Sequence, residues 1–306
     1  MDAVNEKHPQ GAPPPGWTPP MADIDWVKRK YLDVVYASDS PNQRLDIYLP
    51  EKGEGPFPTL IHVHGGGFVF GDKRDDHMNA YLKALGWGWA AVSVEYHLSG
   101  EAIFPAAVLD CREAVRFLRK NAARYKLDPD RFAAIGGSAG GNLAAMLGMN
   151  IPNGAFPGEG AASDYDTEPG VSAAVAQFGP MNFRTMDAQA RRNGVSNADH
   201  DEPFSPESRY LGCPIPDAPE ELCAAADPAT YAGAAMCPVY VQHGTHDRLV
   251  PYEQSVEFVQ ALRDAGLGER VSFDPIPGAD HEDKLFFTDE NLDRVRAFLE
   301  RTMKEE

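Results

Sequence analysis

Phe132-Ala133-Ala134-Ile135-Gly136-Gly137-Ser138-Ala139-Gly140-Gly141-Asn142-Leu143 decides how the rest of this 306-residue chain is read. A short apolar run ends abruptly in glycines, and the helix-compatible run Gly141 to Met149 follows. Strand, sharp turn and helix are therefore expected, with Ser138 at the apex of a G-x-S-x-G turn. Such a turn leaves no room for side chains at Gly136 and Gly140, and it lifts the serine above the edge of a sheet. The helix N-terminus behind it offers free N–H groups and a partial positive charge to an anion forming at Ser138. A glycine-rich turn with an incidental serine would satisfy the same five residues, so the surrounding pattern has to carry weight.

Outward from this stretch, Thr59 to Val63, Ala90 to Val94, Ala173 to Phe178 and Val239 to Gln242 are further short apolar runs separated by helical patterns. Continuous apolar runs mark strands buried on both faces, so the fold class is α/β, a mostly parallel central sheet with helices on both faces. Phe104 to Tyr125 spaces Val108, Cys111, Val115, Leu118, Ala122 and Tyr125 by three and four, which predicts an amphipathic helix. Lys126-Leu127-Asp128-Pro129-Asp130 should end it, because the residue before a proline is pushed out of the α region. Two β-rich runs between Tyr31 and Tyr48 flank Ser38-Asp39-Ser40-Pro41-Asn42, which predicts an antiparallel hairpin at the leading edge of the sheet. Helices over Gln254 to Ala265 and Asn291 to Met303, with a strand over Val271 to Pro275 between them, complete the alternation.

The domain reading is one elaborated domain over 23–306, preceded by a proline-rich segment, 1–22, that lies extended on the surface. Residues 150–235 break the rhythm with Gly, Pro, Asp and Ala. They read as a cap-like insertion around the Ala173 strand.

A serine hydroxyl is a weak nucleophile at neutral pH, so a base must take its proton and a third group must hold that base in one tautomer. His243-Gly244-Thr245-His246-Asp247 follows the Val239 strand as a loop, and Gly278-Ala279-Asp280-His281 follows the Val271 strand in the same way. The candidate catalytic residues are therefore Ser138, Asp247 and His281, in that chain order. His64-Gly65-Gly66-Gly67-Phe68 follows the Thr59 strand and matches the H-G-G-G oxyanion loop of lipases and esterases. Its donors would be the N–H groups of Gly66 and Gly67, joined by that of Ala139, with His64 supporting the loop. A phosphate cradle is the bland alternative, but the G-K-S/T ending of a P-loop is absent. Among competitors, His246 is assigned to the surface or the pocket lining, and Asp280 and Asp283 to turns.

Composition narrows the partners. A formal charge of -18 repels nucleic acid and anionic membranes, and no apolar run approaches the roughly 20 residues that cross a bilayer. No secretory signal is seen, so a cytoplasmic location is the expectation. Cys111, Cys213, Cys223 and Cys237 lack C-x-x-C spacing and read as reduced thiols, a Cys213 to Cys223 bridge being the lesser alternative. Neither a metal nor a cofactor is signalled. A homo-oligomer stays open.

These residues together resemble the esterase/lipase group of α/β hydrolases, which includes hormone-sensitive-lipase-like carboxylesterases and the ferulic-acid-esterase-like, or BD-FAE-like, proteins. The second branch is the nearer. The resemblance lies in His62 to Phe68, Val94-Glu95-Tyr96-His97-Leu98, Gly136 to Leu143, Phe178-Gly179-Pro180, Pro206 to Gly212, Asp227 to Tyr231 and His243 to Pro251. It runs from about Tyr31 to Met303. His97 departs from it, standing where these proteins commonly have arginine. The resemblance implies an α/β-hydrolase fold and cofactor-free cleavage of a small-molecule carboxylic ester in two acyl-transfer steps. A peptidase or amidase of the same fold, and a ligand-binding pseudoenzyme, are the competing readings. The second is disfavoured because all three candidate catalytic residues are present.

Overall fold

The computed structural model describes residues 18–159 and 167–304. Most of the proline-rich segment expected over 1–22 lies outside the described residues. In chain order the elements are β1 (Arg29–Val35), β2 (Arg44–Leu49), β3 (Phe57–Val63), α1 (Met78–Tyr81), β4 (Ala90–Val94), α2 (Ala106–Lys120), α3 (Ala122–Tyr125), β5 (Leu127–Gly137) and α4 (Ala139–Gly148). Then come β6 (Ala173–Gln177), α5 (Met186–Arg192), α6 (Pro206–Leu211), α7 (Glu220–Ala226), β7 (Val239–Gly244), α8 (Glu253–Asp264), β8 (Val271–Ile276) and α9 (Asp289–Thr302).

One eight-stranded sheet has the order β1-β2-β4-β3-β5-β6-β7-β8. The β1/β2 and β2/β4 pairs are antiparallel and every later pair is parallel. The α/β expectation, with its leading hairpin, therefore holds. Alternation along the strands splits the core. Ile61, Val92 and Ala134 face α2, α4 and α8 through Val115, Leu143 and Phe258. Their neighbours Leu60, Ala91 and Ala133 face α1 and α9 through Tyr81, Val295 and Phe298. Both faces are covered, which is why these strands read as unbroken apolar runs.

Two boundaries differ from expectation. The helix predicted over Phe104 to Tyr125 is two helices, interrupted at Asn121, whose side-chain amide donates to the Phe117 carbonyl. It ends at Lys126 in a left-handed conformation (φ 60°), three residues ahead of the proline held responsible. The chain then enters β5 early. Leu127 pairs with Phe57, and an irregularity between that pair and Thr59↔Phe132 takes up Pro129, which cannot donate to a sheet ladder.

The parallel order brings the C-terminal ends of β3, β5, β7 and β8 to one edge, as ligand sites on open α/β sheets require. There α4 lies hard against β3. A Cβ on Gly140 would sit 2.1 Å from the Val63 carbonyl oxygen and 2.6 Å from that of His64. One on Gly136 would meet the Gly140 carbonyl oxygen at 2.2 Å. Since these obstacles are backbone, nothing can swing aside. Gly140→Ala is expected to destabilise the fold by about 3 kcal/mol or more, measured by urea unfolding, whereas Gly86→Ala, whose Cβ would meet nothing within 4 Å, should leave the midpoint within the scatter of the parent.

Candidate active site

Ser138 joins β5 to α4 with φ 55° and ψ -126°, a conformation that L-residues rarely adopt. Neighbouring hydrogen bonds fix it: its N–H donates to the Gln177 carbonyl at 3.0 Å, and its own carbonyl accepts from Gly141 at 2.8 Å and Asn142 at 3.2 Å. The hydroxyl lies 2.9 Å from Nε2 of His281. On the other side of that ring, Nδ1 lies 2.7 Å from Oδ2 of Asp247. Asp247 follows β7 and His281 follows β8, so the structure brings the three sequence-predicted residues into one hydrogen-bonded line.

The line is electrostatically coupled. Burial disfavours a charged His281, but the Asp247 carboxylate outweighs it and lifts the ring's pKa above the ordinary 6.5. Burial likewise opposes charge on Asp247. Proximity to His281, with a hydrogen bond from His243, prevails and holds its carboxyl well below the usual range. Amides of Leu249 and Val250 donate to Oδ1 at 3.0 and 2.8 Å, which serves the same end. Phe178 packs against the His281 ring edge to face, with centroids 5.0 Å apart.

Gly66 (φ 94°) and Gly67 (φ 58°) turn the loop after β3 beside Ser138. The Gly66 carbonyl accepts from Val69 and Phe70, and a trans peptide puts the Gly67 N–H on the opposite side, away from those bonds. Ala139 is the first residue of α4, where helix N–H groups have no intrahelical partner. His64 is fully buried beneath this loop. Its Nδ1 meets the Gly65 carbonyl and its Nε2 the Glu95 carboxylate, each at 2.9 Å. Both partners only accept, so both ring nitrogens donate and the ring is an imidazolium. Tyr96 stacks on it at 4.3 Å and donates its hydroxyl to the His64 carbonyl.

A cavity of about 90 Å³ opens at Ser138, with Gly66, Gly67, Ala139 and His281 in its wall. The chain between β6 and β7 adds Asp199, His200 and Glu207. His200 lies 3.3 Å from Glu207. Burial works against its charge, yet the Glu207 carboxylate prevails and the pKa is pushed up to about 9. A larger cavity of about 630 Å³ between the leading hairpin and α2 contains none of the candidate residues. His97 lines that second cavity and bonds Asp110 at 2.6 Å.

Residues 45–262 match the BD-FAE family. The chain belongs to that family. Esterase LipQ of Mycobacterium tuberculosis is 32% identical over 252 residues, which cover 81% of this chain and 56% of LipQ. Across LipQ and two further esterase relatives from that organism, the chain spans 51–64% of the relative's length. A truncated carbohydrate esterase from gut microbiota superposes with a TM-score of 0.79 at 26% identity, covering 93% of this chain and 100% of that one. A bifunctional GH43-CE protein of Bacteroides eggerthii gives 0.77 at 30%, covering 90% of this chain and 35% of its own.

Elsewhere in this BD-FAE chain, His246 is exposed, its ring meeting the Thr245 hydroxyl and its backbone N–H donating to the Ala279 carbonyl. Asp280 accepts the backbone N–H groups of Arg248 and His281, and Asp283 that of Leu285. All four cysteines are free, including Cys213 and Cys223. No helix among the described residues is long and apolar enough to cross a membrane. Glu95, Phe178 and Glu207 lie in the stretches that carry the family resemblance but had no role read for them at the site, and His200 was not picked out at all. Glu95 was the findable one: a carboxylate directly after an apolar strand, where burial demands a partner, pointed to the histidine ending the neighbouring strand.

The His64–Glu95 pair yields a stability test. Burial disfavours both charges, yet each partner prevails over it, so His64 rises above 6.5 and Glu95 falls below 4.5 on folding. The His64 contribution is whole below pH 6.5 and fades as pH climbs through its folded value. The Glu95 contribution is present above pH 4.5 and fades as pH falls through its folded value. Glu95→Gln should therefore cost about 3 kcal/mol between those two pH values, with the gap to the parent narrowing on either side when urea unfolding is followed against pH.

Proposed function

We propose that this chain hydrolyses carboxylic esters through an acyl-enzyme. Ser138 is the nucleophile, His281 the general base and then acid, Asp247 the group that orients His281, and the N–H groups of Gly66, Gly67 and Ala139 the oxyanion hole. The observation that carries this reading is the unbroken relay from Asp247 through His281 to the Ser138 hydroxyl, at 2.7 and 2.9 Å. Ser138 Oγ attacks the ester carbonyl as His281 Nε2 takes its proton, forming a tetrahedral oxyanion. Collapse expels the alcohol, which receives that proton. Water, activated by the same nitrogen, then releases the acid and restores the serine.

Asp247 stays ionised throughout and balances the imidazolium that forms twice per cycle. Each oxyanion donor is worth about 10²–10³ in turnover. Residues 150–235 act as a cap, contributing His200 and Glu207 to one wall. A cavity of about 90 Å³ is well below the roughly 300–1,000 Å³ that encloses a drug-sized ligand. Short acyl groups suit it, with the alcohol outside. The carbohydrate esterases among the structural relatives support a sugar as that alcohol.

Three outcomes are expected. Ser138→Ala should lower turnover of p-nitrophenyl acetate by roughly 10⁴-fold or more; a variant as active as the parent removes the nucleophile from the proposal. Since catalysis needs a neutral His281 whose pKa lies above 6.5, the acid limb of kcat/KM against pH should have its midpoint above that value. Across p-nitrophenyl esters of rising chain length, kcat/KM should peak at the shortest and fall steeply thereafter; a peak at octanoate contradicts the cavity argument.

A further inference from the structure

Beside Asp247 sits a second histidine that the proposed reaction does not use. His243, next to last in β7, is fully buried. Its Nδ1 lies 2.7 Å from the Ser255 hydroxyl on α8. Its Nε2 lies 3.0 Å from the Val250 carbonyl and 3.2 Å from Oδ2 of Asp247. Carbonyl and carboxylate oxygens only accept, so Nε2 carries the proton and shares it between the two. Tyr252 closes the remaining side, edge-on at 5.9 Å between centroids.

The consequence falls on Oδ2, the oxygen that also holds His281. Oδ1 is fixed by the Leu249 and Val250 amides, whereas Oδ2 meets, among the described residues, the two imidazoles, one from each side. We propose that His243 is a positioning residue for the proposed ester hydrolysis: its Nε2–H holds Asp247 Oδ2 in line with His281, and Ser255 fixes the ring that does so. This inference rests on the esterase reading. Without His243 the carboxylate keeps its charge but loses the donor that resists rotation of Oδ2 away from His281. The Val250 carbonyl loses its partner as well, which loosens the loop carrying Asp247. Small displacements of an orienting group are felt in turnover, because the reacting geometry tolerates little error. Substrate binding, made at the other end of the line, should hardly change.

The test compares His243→Gln, which keeps an N–H donor near the Nε2 position, with His243→Leu, which keeps bulk and has no donor, and with Ser255→Ala. Turnover of p-nitrophenyl acetate is expressed per Ser138 labelled to completion with a fluorophosphonate, so that loss of folded protein is divided out. His243→Leu should lower kcat by about 10- to 100-fold with KM within about twofold, and His243→Gln should recover most of the loss. A part of the same kcat loss is expected from Ser255→Ala, which carries the test if the leucine variant does not fold. Leu and Gln variants of equal kcat, a loss confined to the count of labelled sites, or an unaltered Ser255→Ala would each overturn the positioning role while leaving the esterase reading intact. A parent inert towards every ester, by contrast, removes that reading and this inference together.

Discussion

Everything at the site depends on the contact between two backbones: β3, ending at Val63, and the turn from β5 into α4. Gly136 and Gly140 let peptide groups approach to distances that no side chain would permit. The approach sets the helix N-terminus beside the loop after β3, so Ala139, Gly66 and Gly67 line one cavity with Ser138. It also forces Ser138 into a sparsely populated conformation, which costs on the order of 1–3 kcal/mol. A hydrogen bond to the Gln177 carbonyl and others from Gly141 and Asn142, together with the buried helix behind, hold the serine there. The strain is the means by which the hydroxyl is exposed while its backbone stays inside.

Around that contact, buried charge is used in a consistent manner. Asp247 is flanked by His281 and His243, His64 is matched by Glu95, and His200 by Glu207. Each pair bears the cost of leaving water, and a hydrophobic replacement of similar volume often does as well for stability. What pairing adds here is direction. His64 cannot rotate without breaking two hydrogen bonds, so the loop above it is held in one shape. Asp247 cannot rotate without giving up an imidazole. Groups fixed in this way need no reorganisation when charge develops in a reaction, and that pre-organisation is where electrostatic catalysis draws its advantage.

The parts of this design differ in how openly the sequence declares them. Strands buried on both faces leave continuous apolar runs, and the glycines at 136, 140, 66 and 67 answer to local geometry, so the sheet and the turns were legible. Ser138, Asp247 and His281 were legible too, because each follows a readable strand and their chain order limits the choices. Boundaries were less so: Lys126 ends its helix in a left-handed conformation that nothing in Lys126-Leu127 announces, and Leu127 joins β5 only because Phe57 is there to pair with it. Partners far apart in sequence were hidden. Ser255 meets His243 only once α8 has packed against β7. His243 reads as the first residue of a loop, whereas it belongs to the end of β7.

Two histidines touch Asp247 from different surroundings. Both present an N–H to Oδ2, at 2.7 and 3.2 Å, so contact with the carboxylate does not rank them. Surroundings do. His281 has its far nitrogen on a hydroxyl that lines a cavity, so a proton arriving there has somewhere to go. His243 has its far nitrogen on Ser255, in the packed face beneath α8, with no route to solvent or substrate. An imidazole that can exchange its proton serves as a base, and one that cannot serves as a brace. Burial at the far nitrogen, rather than distance to the carboxylate, is what divides the two roles.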